Sequence, residues 1–115
     1  MPVQGSTCFQ EGLGDDVVDM TSVDAEVQKH NINVGFIKMD VEGYGLCLIQ
    51  GAMNTIKSQR PVMSLSVYHN NDELFKILPL LRQQLTNYVY EFALNAFYGD
   101  FGEMVLFCYP KELSD

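Results

Sequence analysis

FIKMDVEG, Phe36–Gly43, decides how this chain is read. Phe36 to Met39 is apolar except for Lys38, and the run then ends abruptly in Asp-x-Glu-Gly. With its flanks, Val34 to Val41, the run reads as a strand with helices on both faces. Gly43 permits a tight exit from the strand. In the next stretch, GYGLCLIQGAMNTIKSQR, Leu48, Ala52 and Thr55 recur at helical spacing, as do Ile49, Met53 and Ile56. Lys57 and Arg60 fall in the last turn of that helix, where cations suit the helix dipole. Pro61 stops the helix and opens PVMSLSVYH as a second strand.

Working outward, Asn70 or Asn71 can cap the helix DELFKILPLLRQQL, whose apolar stripe is Leu74, Ile77, Leu81 and Leu85. Pro79 in its middle predicts a kink, or the opening of a second helix. Tyr88 to Phe97 has a strand's aromatic and aliphatic content. Tyr98 to Gly102 reads as a turn, and EMVLFCY closes a hairpin that Pro110 ends. Upstream, Asp16 to Asp24 is rich in β-branched residues and predicts a short strand. Ala25 to Asn31 predicts a short helix capped by Ser22 or Asp24. Residues 1–15 are expected to form an irregular N-terminal arm, and 16–115 one α/β domain. The element order implies a sheet that is parallel at first and carries an antiparallel terminal hairpin, with helices packed on it.

A chain of 115 residues suits one domain. Its formal net charge of −8, with no Lys/Arg cluster, argues against nucleic acid and against anionic membranes as partners. The N-terminus shows no signal-peptide pattern and no apolar run is long enough to span a bilayer, so a cytoplasmic acidic protein is expected. Cys8, Cys47 and Cys108 make no CxxC pair. Cys47 and Cys108 sit among apolar residues and read as buried free thiols.

Several of these words together resemble the C-terminal part of the FkbM-type, S-adenosylmethionine-dependent methyltransferases. They are IKMDVEG, QGAMNTIKSQRP, SLSVYH and the terminal MVLFCY, covering roughly residues 17–110. The resemblance implies the second half of the class I methyltransferase, Rossmann-like fold. In that family a second acid stands two residues after the motif glycine, and here that position is Gly45. The family's glycine-rich cofactor loop has no counterpart before Val34; the GxG of Gly12 and Gly14 follows no convincing strand. A truncated domain is therefore expected, with no cofactor held by this chain alone and S-adenosylmethionine implied by the resemblance only.

In open α/β sheets, ligands sit outside the carboxyl ends of the strands. Asp40, Glu42, Tyr68 and His69 stand at two such ends. Methyl transfer to an alcohol or amine needs the acceptor deprotonated, and His69 is the natural general base. Asp40 could orient that base or the acceptor, Glu42 could hold an acceptor hydroxyl, and Tyr68 could wall the pocket. Structural roles stand beside these. Glu42 could favour the next helix's positive N-terminus, Tyr68 could be a packed residue with a wet hydroxyl, and His69 could be turn chemistry. A metal held by Asp40, Glu42 and His69 is not expected.

Without a neighbour, strand 34–41 would expose an apolar edge with unpaired N–H and C=O groups. That edge is expected to be covered, either by DVVDMTS or by a second copy in a homodimer. The leading functional expectation is a non-catalytic oligomeric or interaction protein on this scaffold. The alternative is the acceptor-binding component of an O-methyltransferase whose cofactor half comes from another chain or from upstream sequence.

Overall fold

The computed structural model describes residues 20–68, 70–95 and 103–114. Within them run α1 (Val23–His30), β1 (Phe36–Met39), α2 (Gly45–Gln59), β2 (Val62–Ser66), α3 (Asn71–Gln84), β3 (Tyr88–Asn95) and β4 (Glu103–Pro110), closed by a 3₁₀ turn at Lys111–Leu113. The strands form one sheet in the order β1-β2-β4-β3. β1 and β2 are parallel, with Met39 opposite Leu65. β4 runs antiparallel to both β2 and β3. This is the expected α/β sheet with a terminal hairpin. The turn expected at Tyr98–Gly102 and the arm 1–15 lie outside the described residues.

Period-two alternation sends Met39, Met63, Leu65, Leu106 and Cys108 to one face. There they pack with Ile49, Ala52 and Ile56 of α2 and Ile77 and Leu81 of α3. The other face carries Phe36, Lys38, Ser64 and Phe107, and it is open: Phe36 is 57% and Phe107 40% exposed. The expectation that β1 is covered on both faces is therefore corrected. Both α2 and α3 lend their apolar stripes to the same core, so the apolar run of β1 is covered on one side only, among the described residues.

α1 begins earlier than its sequence suggests. Ser22 Oγ accepts from Ala25 N at 3.1 Å, and this cap draws Val23 and Asp24 into the helix. The strand expected over Asp16–Asp24 is absent from its described part, Met20–Asp24. Asp24 joins α1 to α2: its carboxylate accepts from Thr55 N (2.8 Å), Thr55 Oγ1 (2.7 Å) and Asn54 N (3.1 Å). Gly51 makes room for this contact, since a Cβ there would stand 3.1 Å from Ser22 Cβ. α3 runs unbroken through Pro79, so no second helix opens there.

At the opposite end of the strands, Arg60 terminates α2 in a left-handed conformation (φ 51°). Its guanidinium bonds both oxygens of Glu112 (2.6 and 2.9 Å) and the carbonyls of Thr86 and Asn87. It also lies 5.0 Å from the centroid of the Tyr88 ring, whose hydroxyl donates to Pro61 O at 2.7 Å. Cys108 is a free, buried thiol pushed up to about 12 by burial. Cys47 is disulfide-bonded, which corrects the free-thiol expectation for that residue. Its apolar neighbours do not carry it into the core; it is only half-buried in the first turn of α2. No described helix is long and apolar enough to cross a membrane.

Two outcomes follow from these contacts. Asp24→Ala leaves Thr55 without its acceptor and should lower the unfolding free energy by about 2 kcal/mol, read by urea denaturation. The second concerns Glu112, whose carboxyl the Arg60 hydrogen bonds hold at about 2 against an ordinary 4.5. A carboxyl that is more acidic folded than unfolded stabilises the fold in full above its unfolded pKa. That contribution fades as pH falls from 4.5 towards 2. Wild type should resist urea slightly better than Glu112→Gln at neutral pH, and the two should converge across that window. The pair is exposed, so the gap is small and salt narrows it.

Candidate functional site

The carboxyl ends of β1 and β2 lie side by side, because the two strands are parallel neighbours. β1 leaves the sheet at Asp40 and reaches α2 through a turn in which Tyr44 N bonds Val41 O at 3.2 Å. Two consecutive residues of this turn are left-handed, Glu42 (φ 45°) and Gly43 (φ 97°). The glycine adopts that conformation readily. A glutamate does so at a cost of about 1–2 kcal/mol, which the surroundings must offset.

The surroundings are the start of α3. Asn70 Nδ2 donates to Gly43 O at 2.9 Å. Asn70 Oδ1 caps α3 by accepting from Glu73 N at 2.8 Å. Glu73 Oε2 accepts in turn from Gly45 N, the first residue of α2, at 2.8 Å. Two hydrogen bonds thus tie the β1–α2 turn to the N-terminus of α3, and the cap bond joins the two residues that make them. Glu73 is buried, whereas Glu42 is exposed. The role left open for Glu42 at the positive end of α2 is filled at Gly45 by Glu73 instead.

Asp40, Glu42 and Tyr68 are all exposed at this end of the sheet, where the sequence places them. Asp40 directly follows β1, and Tyr68 lies two residues beyond β2. His69 lies outside the described residues, so its approach to Asp40 has no geometry here. Asn70 was legible as a cap, but its side-chain amide bond to Gly43 was not. Glu73 was missed altogether. Its signal is the Asn-x-x-Glu spacing of a capping box, in which the glutamate would bond back to its own helix start. Here one of its oxygens bonds another helix.

Among the described residues, no three of His, Cys, Asp and Glu stand together as a metal site. Gly45 N–H, at the end of the β1–α2 turn, is bonded to Glu73. The only described glycine-bearing turn from a strand into a helix is this same Glu42–Gly45 turn.

Comparison with known proteins places these features in a family. The sequence profile of the methyltransferase FkbM domain matches residues 4–92. Among solved structures, the chain is similar to methyltransferase FkbM from Methylobacillus flagellatus KT, with a TM-score of 0.61 and 26% identity. The match covers 68% of this chain and 20% of that one, so the chain spans about a fifth of that protein's length. No curated protein matches.

The turn yields a paired outcome in urea denaturation. Gly43→Ala places a Cβ in a left-handed position, 3.3 Å from Asn70 Nδ2, and should destabilise. The loss should be about 1–2 kcal/mol. Glu42→Gly relieves strain and should stabilise by up to about 1 kcal/mol.

Proposed function

This chain belongs to the FkbM methyltransferase family, and from that premise we propose that it is an interaction module, which supplies the acceptor side of a methyl-transfer site but does not transfer methyl groups alone. Its counterpart is a cofactor-binding polypeptide that docks on the open face of the sheet and the free edge of β1. The observation that carries this reading is the one-sided sheet. In the described residues β1 pairs only with β2, and Phe36 on its open face is more than half exposed. Exposed apolar surface beside an unpaired strand edge favours a partner.

Magnitudes set what kind of partner this is. Burying Phe36 and Phe107 contributes about 1.5–3 kcal/mol each. Association opposes this with about 4–15 kcal/mol of lost freedom. The two rings therefore do not hold a partner by themselves, and backbone pairing along β1 must add to them. A second copy pairing β1 with β1 satisfies the same edge about a twofold axis, and such a homodimer forms only at high concentration.

The strained turn supports the acceptor-side assignment. A glutamate held left-handed by a neighbouring helix is the kind of local strain that clusters at ligand sites. In this reading Glu42 receives the acceptor hydroxyl, Asp40 orients the acceptor or base, Tyr68 walls the site and His69 takes the acceptor proton. S-adenosylmethionine supplies the methyl group and is held by the counterpart.

The reading is tested on the purified chain by calorimetry and light scattering. S-adenosylmethionine should give neither heat nor thermal shift, and saturable binding overturns the claim that the cofactor is held elsewhere. The average mass should rise with protein concentration, and Phe36→Glu should abolish that rise. A monodisperse monomer at high concentration would sink the docking face.

A further inference from the structure

The start of α1 lies along one stripe of α2. Asp24 accepts from the Thr55 amide at 2.8 Å and from its hydroxyl at 2.7 Å. Ser22 lies over Gly51, where a Cβ would stand 3.1 Å from the Ser22 Cβ. Gly51 and Thr55 are one helical turn apart and share a face of α2. Going back along the chain from Asp24 to Ser22 therefore climbs α2 by a turn towards its start. The next position up the same stripe is Cys47, half-buried in the first turn of α2.

Cys47 is disulfide-bonded. The sequence holds three cysteines, and Cys108 is a free thiol with 0% exposure. Cys8 is the remaining cysteine of this chain. It precedes Met20, on the side from which the chain comes down the Cys47 stripe into α1. Cys8 also falls inside the span 4–92 that matches the family domain, so both sulfurs belong to that domain.

We infer that Cys8 and Cys47 form a redox-sensitive staple, which ties the beginning of the chain to the head of α2. The two thiols give up two protons and two electrons as the S–S bond forms. A disulfide oxidant such as oxidised glutathione takes them up and becomes two thiols. Such bonds persist in oxidising surroundings and open in a reducing cytosol. The position of this one gives it consequence. Cys47 stands two residues beyond Gly45, close to the left-handed Glu42–Gly43 step. Reduction thus frees the beginning of the chain beside the candidate site, while the buried core of α2, α3 and the sheet contains neither of the two sulfurs. The staple does not rest on the proposed function.

Peptide mapping of the full chain tests the pairing. The protein is treated with oxidised glutathione, and free thiols are then blocked with iodoacetamide in urea without reduction. A Cys8 peptide joined to a Cys47 peptide is expected, with Cys108 as the alkylated cysteine. A Cys47 peptide that is alkylated, or joined to Cys108, to glutathione or to Cys47 of another copy, overturns the inference.

The effect on the fold is read separately. The bond closes a loop of roughly 40 residues, and reduction with dithiothreitol should lower the folding equilibrium constant about 30- to 800-fold in urea denaturation. Cys8→Ser and Cys47→Ser should each lie at the reduced level and respond no further to dithiothreitol, and the double variant should match the singles. In amide NMR spectra of the wild type, reduction should move the cross-peaks of Tyr44 to Leu48 most. Unchanged stability on reduction, or unmoved Tyr44 to Leu48 cross-peaks, equally overturns the staple. Should a variant fail to fold, the wild-type peptide map decides the pairing by itself. None of these readouts involves S-adenosylmethionine or methyl transfer, so this inference and the proposed function fail separately.

Discussion

A carboxylate shut away from water must be given a hydrogen bond, and the bond that Glu73 makes to Gly45 organises the upper end of this molecule. The bond crosses from α3 to α2, so the two helices begin at a fixed distance from one another. It requires a residue without a side chain at 45, which in turn lets Met39 at the end of β1 pack close beneath. Because Asn70 caps the same helix and also bonds Gly43, the exit of β1 is held in a conformation that a free glutamate would avoid. Strand end, turn and two helix starts are one unit.

The lower end has an equivalent of opposite sign. Arg60 gathers two carbonyls, a carboxylate and an aromatic face around one guanidinium. It joins the end of α2 to the start of β3 and to the turn after β4. Both ends use a charged side chain to satisfy backbone groups that helices and strands leave unpaired. Between them, α2 and α3 pack on the sheet through Ile49, Ala52, Ile56, Ile77 and Leu81. The result is a sheet well anchored on one face and open on the other.

That sidedness shapes the functional reading. Asp40 and Glu42 after β1 are exposed, yet the turn that bears Glu42 is tied to the start of α3. The open face and the edge of β1 lie on surface that the helices leave uncovered.

Much of this was legible from sequence. FIKMDVEG announced a strand with a tight exit, and helical spacing from Leu48 to Ile56 announced α2. Asn70 announced the start of α3, and the two terminal strands announced a hairpin. These signals are local: periodicity, caps and turn residues act within a few positions of themselves. Val23 was misjudged because a β-branched residue suggested a strand, while the Ser22 cap favoured a helix. Cys47 was misjudged because apolar neighbours do not by themselves bury a residue. Met39 and Phe36 share one apolar run, and only the side on which both helices lie decided that the first is buried and the second exposed. Glu73 and Gly45 are 28 positions apart, and each is unremarkable alone. The sequence by itself determined the order of elements and the residues at the strand ends. Tertiary structure decided which face stays open and which acid sits at the head of α2, because both depend on distant side chains competing for the same space.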